Sequence, residues 1–99
     1  MPADAPTLVP LADALRNSES LARLAQRLRE SRRRFECIET LLPSALAAQA
    51  KAGPLDEHGW TLLALTPAAA AKLRQLVPLI EARLTEQGFG SLAIRVRVR

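Results

Sequence analysis

GWTLLALTPAAAAKLRQLVPLIEARLTEQGFGSLAIRVRVR, residues 59–99, is the stretch whose reading decides the fold. Its first apolar run, Trp60–Leu65, is too short for a helix of its own and reads as a strand. Thr66-Pro67 follows, and this pair marks a helix start. Threonine accepts backbone N–H groups at an N-cap, and proline suits the first helical position, where its missing N–H costs nothing. Leu73, Leu76, Val77, Ile80 and Leu84 then share one face at helical spacing, and Gly88 is placed to end the helix. Pro78 falls inside it, removes the bond to the Arg74 carbonyl and predicts a kink. In the closing SLAIRVRVR, Leu92, Ile94, Val96 and Val98 alternate with Ala93, Arg95, Arg97 and Arg99. That period of two predicts a strand with one apolar and one basic face.

Upstream of Gly59, Asp56-Glu57-His58 reads as a hairpin loop joining the run 50–55 to the strand 60–65. Gly53-Pro54 inside the first arm suits an edge strand or a bulge. Hairpin, crossing helix and third strand predict a three-stranded sheet. Strand three is expected beside strand one and parallel to strand two, with the crossover helix on one face. Before the hairpin, Leu21, Leu24, Leu28, Phe35, Ile38 and Leu42 recur at helical spacing until Pro43. Asn17 and Ser18 are good caps for that helix, and residues 11–16 add a helical turn or two ahead of it. PSALAAQ, 43–49, makes a short second helix. Residues 1–10, with three prolines and no period, read as a loose arm, leaving 11–99 as one domain. The class is therefore α+β in the order ααββαβ, with helices on one sheet face and the arginine face open.

Ninety-nine residues allow one core, and the net charge of +4 favours acidic partners such as nucleic acid or an acidic protein. Arginine outnumbers lysine, and its planar fork suits phosphate or carboxylate. Cys37 is alone, which excludes an internal disulfide and a cysteine-rich zinc site and points to a reducing cytoplasm. No membrane span or signal pattern is present in the sequence.

Catalytic chemistry is poorly supplied. His58, the sole histidine, sits in the turn without a nucleophile placed beside it, and Cys37 lacks a partnering base. Gly88-Phe89-Gly90 is no phosphate loop and reads as a turn. Phe35 and Trp60 belong to core patterns, so base stacking on an aromatic platform is not expected. No cofactor, metal or small-molecule substrate is implied.

The basic residues carry the candidate site. Arg95, Arg97 and Arg99 form a row of cations that could follow a phosphate backbone, and the same charges could simply protect a sheet edge. Arg23, Arg27 and Arg34 line up beside the leucine stripe, and Arg33 with its neighbours makes a dense basic run. Glu19 and Glu30 neutralise part of that charge at four-residue spacing.

The leucine-rich helix ending in LLPSALAAQ, the run GWTLLALTPAAAAKLRQLVPLIEARL and the terminal AIRVRV together resemble the DciA-type bacterial replicative-helicase loader or operator family, over about residues 11–98. That resemblance implies a KH-like, non-enzymatic domain that binds nucleic acid and assists loading of the replicative DNA helicase. Leu73, Arg74 and Leu76, which read Leu-Arg-x-Leu in this sequence, match the family's leucine-arginine helix, and Ile94 and Val96 its last core strand. Lys72 and Arg74 join the candidate nucleic-acid contacts on this basis. The sequence has alanines at 68–71, where members often carry a bulky residue, and lacks the G-x-x-G loop of KH modules. The other reading is a protein-interaction domain whose basic face meets an acidic partner, with nucleic acid incidental.

Overall fold

Thr66 and Pro67 act as their order dictates. In a computed structural model, which describes the backbone from Asp4 and the side chains from Ser18 through Arg99, the Thr66 hydroxyl accepts the Ala69 N–H at 3.1 Å and Pro67 opens a helix that runs to Glu86. The elements are α1 (Asp4–Glu39), α2 (Ser44–Ala47), β1 (Ala50–Asp56), β2 (Gly59–Ala64), α3 (Pro67–Glu86) and β3 (Ile94–Val98). This is the α+β layout ααββαβ, with a three-stranded mixed sheet. α3 passes Pro78 as one element, the proline ring lying exposed. It ends in a Schellman turn, in which Gly88 at φ +85° turns the chain while its N–H reaches Thr85 O and the Phe89 N–H reaches Leu84 O.

α1 is a single helix. Asn17 and Ser18 do not divide it, since either residue costs only a few tenths of a kcal/mol in a helix interior and neither removes a backbone bond. The loose arm expected over 1–10 lies outside the described residues at Met1–Ala3, and from Asp4 the backbone already belongs to α1.

The sheet order is β1-β2-β3, with β1 antiparallel and β3 parallel to β2. Strand three therefore lies beside strand two, not beside strand one as expected. The outer edge of β1 is already used. Its register slips between Ala52 and Leu55, Pro54 has no N–H to give, and the Gly53 carbonyl accepts the Ser31 hydroxyl of α1 at 2.6 Å. A strand cannot add there, so the crossover returns β3 to the free side of β2.

Alternation along the strands sorts the two faces. Trp60, Leu62 and Ala64 are fully buried with Val96 beneath the helices. Ile38 and Leu42 at the end of α1, Leu46 of α2, and Ala69, Ala70, Leu73, Ile80 and Leu84 of α3 close the core over them. Each fully buried large side chain contributes about 1.5–3 kcal/mol. Ala69 and Ala70 are buried where α3 starts, so alanine at these two positions lets that end of the helix sit close to its neighbours, while Ala68 and Ala71 are exposed.

The leucine stripe of α1 does not behave as a single core face. Ile38 is buried and Phe35 packs against the core, whereas Leu21, Leu24 and Leu28 are 63%, 53% and 58% exposed. A helix of 36 residues is about 54 Å long, far more than a sheet of six-residue strands can cover. The segment from Ser18 to Leu28 is accordingly exposed rather than packed on the core. No helix among the described residues is long and apolar enough to cross a membrane.

Candidate nucleic-acid interface

Register decides which side chains share the open face. Ile94, Val96 and Val98 pair with Trp60, Leu62 and Ala64, which places them on the helix side, while Arg95 and Arg97 pair with Thr61 and Leu63 on the open side. Arg99 continues the same alternation. Successive arginines of the row are about 6.6 Å apart along the strand.

The row lies on an edge strand, and α3 reaches round to it. Trp60 N–H donates to Ala93 O and Arg99 N–H to Ala64 O, so the odd-numbered backbone groups of this segment turn toward β2. Those of Ile94, Val96 and Val98 turn outward. Arg74 Nη2 donates to Val96 O at 3.2 Å, satisfying one outward carbonyl and bringing a guanidinium alongside the row. Arg74, Arg95 and Arg97 thus converge, with Val96 and Val98, around a shallow depression of about 450 Å³. The guanidinium groups that protect this edge are the ones an anion approaching it would meet.

Local acids neutralise little of this charge. Arg95 Nη2 lies 3.4 Å from Asp56 Oδ2, with both side chains more than two-fifths exposed, an arrangement of small net strength. Asp56 is occupied on its other oxygen, which accepts the backbone N–H groups of His58 at 2.8 Å and Gly59 at 3.0 Å. The His58 N–H has the largest influence and holds the Asp56 carboxyl below its ordinary value; desolvation opposes it, and the Gly59 N–H and the charge of Arg95 add to the lowering. Neither Arg97 nor Arg99 has a carboxylate within 4 Å among the described residues.

Lys51 joins this face, and sequence reasoning missed it. Counted back from the Glu57-His58 turn without interruption, Lys51 would oppose Ala64 and point at the helices. The slip between Ala52 and Leu55 adds one residue to β1, so Lys51 opposes Leu63, which in turn opposes Arg97. Lys51, Leu63 and Arg97 form one row across the open face. The signal was Gly53-Pro54. A Cβ on Gly53 would sit 2.7 Å from Thr61 O, so the bulge needs glycine there.

The remaining basic candidates lie elsewhere. Arg34 does not face solvent as the helical wheel implied; it is 5% exposed, and its Nη2 donates to Phe89 O at 2.9 Å. It clamps α1 to the turn after α3. Arg33 stays exposed, bonded to Glu30 at 3.3 Å, and both guanidinium groups lie over the Phe89 ring, at 5.5 Å for Arg33 and 5.3 Å for Arg34. Arg23 pairs with Glu19 at 3.8 Å on the exposed part of α1. Arg27 lines a groove between α1 and β1, at the sheet edge opposite β3. Lys72 faces α2, some 200° round α3 from Arg74, in a depression with Pro43, Leu46 and Gln49. The structure therefore gathers Arg74, Arg95 and Arg97, and leaves the α1 arginines and Lys72 apart from them.

The other candidates fall into structural places. His58 is exposed in the β1–β2 turn, 3.7 Å from Glu57. Cys37 is half-buried against the core. Gly88-Phe89-Gly90 is a turn, with both glycines at positive φ.

No protein-family model matches the chain, and no curated protein matches it in sequence.

Proposed function

We propose that this chain is a non-enzymatic, basic α+β module that contacts the phosphate backbone of DNA and assists loading of the replicative DNA helicase, as its resemblance to the DciA-type family implies. The observation that carries nucleic-acid contact is the convergence of Arg74, Arg95 and Arg97 beside an open sheet face, with Lys51 across it and Asp56 the one acid paired to the row among the described residues. Such a site reads charge and backbone, with little dependence on base sequence. The helicase role rests on the order of the elements and on the residues shared with the family, Leu73, Arg74, Leu76, Ile94 and Val96.

The test is a salt titration of binding to a labelled single-stranded oligonucleotide. Affinity should fall with a log–log slope of roughly −0.7 per phosphate neutralised, and the R95A/R97A/R99A variant should flatten it. A flat response in the parent protein, or unchanged affinity in the triple variant, overturns the phosphate reading. Pull-down of purified replicative helicase before and after nuclease treatment tests the second part. Retention after nuclease supports direct contact, and loss indicates bridging by DNA.

A further inference from the structure

Residues 24–32 of α1 and the bulged edge of β1 enclose a groove at the far side of the sheet from β3. One wall is Leu24, Arg27, Leu28 and Arg32, the other runs from Ala52 through Leu55 with Leu63, and Ser31 closes the floor against Gly53. Its volume of about 590 Å³ is within the range of binding sites for compact ligands and side-chain clusters. Leu21, Leu24 and Leu28 form an apolar ridge above it, each more than half exposed. Three large leucines in register at the mouth of a groove are an unpartnered surface.

The charges around the ridge select its occupant. At about 100° per residue, Arg23 and Arg27 flank the leucines on one side and Arg29 and Arg32 on the other. Arg23 alone of these four has an acidic neighbour within 4 Å among the described residues. A second copy of α1 laid along the ridge would set arginine against arginine on both flanks, which costs rather than stabilises. A flat lipid surface would meet the ridge but not the recessed Leu55 and Leu63. The one acid lining the groove, Asp56, is turned to Arg95 and the β-turn N–H groups.

We infer that this groove docks an acidic amphipathic helix of a partner protein, its apolar residues set between Leu24, Leu28 and Leu63 and its carboxylates paired with Arg27, Arg29 and Arg32. Leu21 to Ser31 spans about 15 Å, the length of some three helical turns, so the partner presents anchors at i, i+3 or i+4, and i+7. The groove shares Leu63 and Asp56 with the open face, but its α1 wall lies at the sheet edge opposite the arginine row, so separate variants test the two sites.

The experiment uses a fluorescein-labelled helical peptide of about 15 residues with leucines at those spacings and glutamates on both flanks, and a counterpart with lysines on the flanks. Anisotropy should rise with the glutamate peptide and not with the lysine peptide. The L24S/L28S variant, whose changes fall on exposed positions, should weaken binding at least about tenfold while keeping the parent's circular dichroism and unfolding midpoint. The R27E/R32E variant should reverse the preference toward the lysine peptide, and R97A/R99A, which leaves the Arg95–Asp56 pair intact, should bind the glutamate peptide as the parent does. Failure of the glutamate peptide to bind, equal binding of both peptides, or loss in the β3 variant overturns the proposal. So does a concentration-dependent dimer in sedimentation that L24S/L28S abolishes, which would make a second copy the occupant. Competition by anionic vesicles with no peptide binding would instead assign the ridge to a lipid surface.

Discussion

Trp60 donates its indole N–H to the Ser31 hydroxyl across 2.9 Å, and Ser31 in turn donates its O–H to Gly53 O. One buried hydroxyl thus joins α1, the β1 bulge and the central strand. Ser31→Ala removes an acceptor and a donor at once and leaves a buried indole N–H and a carbonyl unpaired. The expected loss is about 1–3 kcal/mol, read by denaturant unfolding. Trp60 is the sole tryptophan, so its emission reports the same site.

Gly53→Ala tests the bulge. A methyl group 2.7 Å from the backbone oxygen of Thr61 cannot be relieved by a rotamer change, so the strand must shift. Destabilisation of about 1–3 kcal/mol is expected from overpacking, measured by thermal unfolding. Faster amide exchange should be confined first to β1. An unchanged midpoint would show that the hairpin accommodates a regular register.

Arg34 and Arg33 are neighbours with opposite fates, and their alanine variants should separate. Arg34→Ala removes a buried guanidinium from Phe89 O and the Phe89 ring, and about 1.5–3 kcal/mol is expected for a bond to a charged group. Arg33→Ala, at an exposed site, should change stability by no more than about 0.5 kcal/mol. Equal effects in chemical denaturation would contradict the burial difference.

The contrast between these arginines shows where the sequence was legible. Signals that act within a few residues came through: the Thr66-Pro67 cap, the turn at Gly88, the two-residue period of β3. Each depends on bonds or sterics inside one element. Arg34 and Leu24 were misread because periodicity ranks positions on a helix without saying how far the core extends along it. The same stripe is buried at Ile38 and exposed at Leu24. Lys51 was missed because a single inserted residue at Gly53-Pro54 reverses the facing of everything before it. The position of β3 depended on what already occupied the β1 edge, and that contact joins residues 22 apart in sequence.

Asp56 makes a pH-dependent contribution of known sign. Its folded carboxyl titrates below the ordinary value of 3.8, chiefly because the His58 N–H binds the ionised form. The stabilisation is therefore present in full above that value and is lost as pH falls through the lower folded one. Asp56→Asn should remove this acid-side dependence, measured as unfolding midpoints between pH 5 and pH 2 for both proteins. The same variant frees Arg95 from its acidic neighbour and should tighten oligonucleotide binding at low salt by roughly twofold.

Lys51, Arg97 and Lys72 separate a face from a bulk charge effect, since each removes one cation. Lys51 and Arg97 flank Leu63 on the open face, whereas Lys72 sits toward α2 on the far side of α3 from Arg74. If phosphates follow the open face, Lys51→Ala and Arg97→Ala should each reduce the magnitude of the log–log salt slope by about 0.7, and Lys72→Ala should leave it within error. Equal effects from all three would mean that net charge, not the arrangement around β3, sets the affinity. A loss confined to Arg97 would restrict contact to the β3 edge, where Arg74 and Arg95 supply the neighbouring cations, and would leave Lys51 outside the path of the strand.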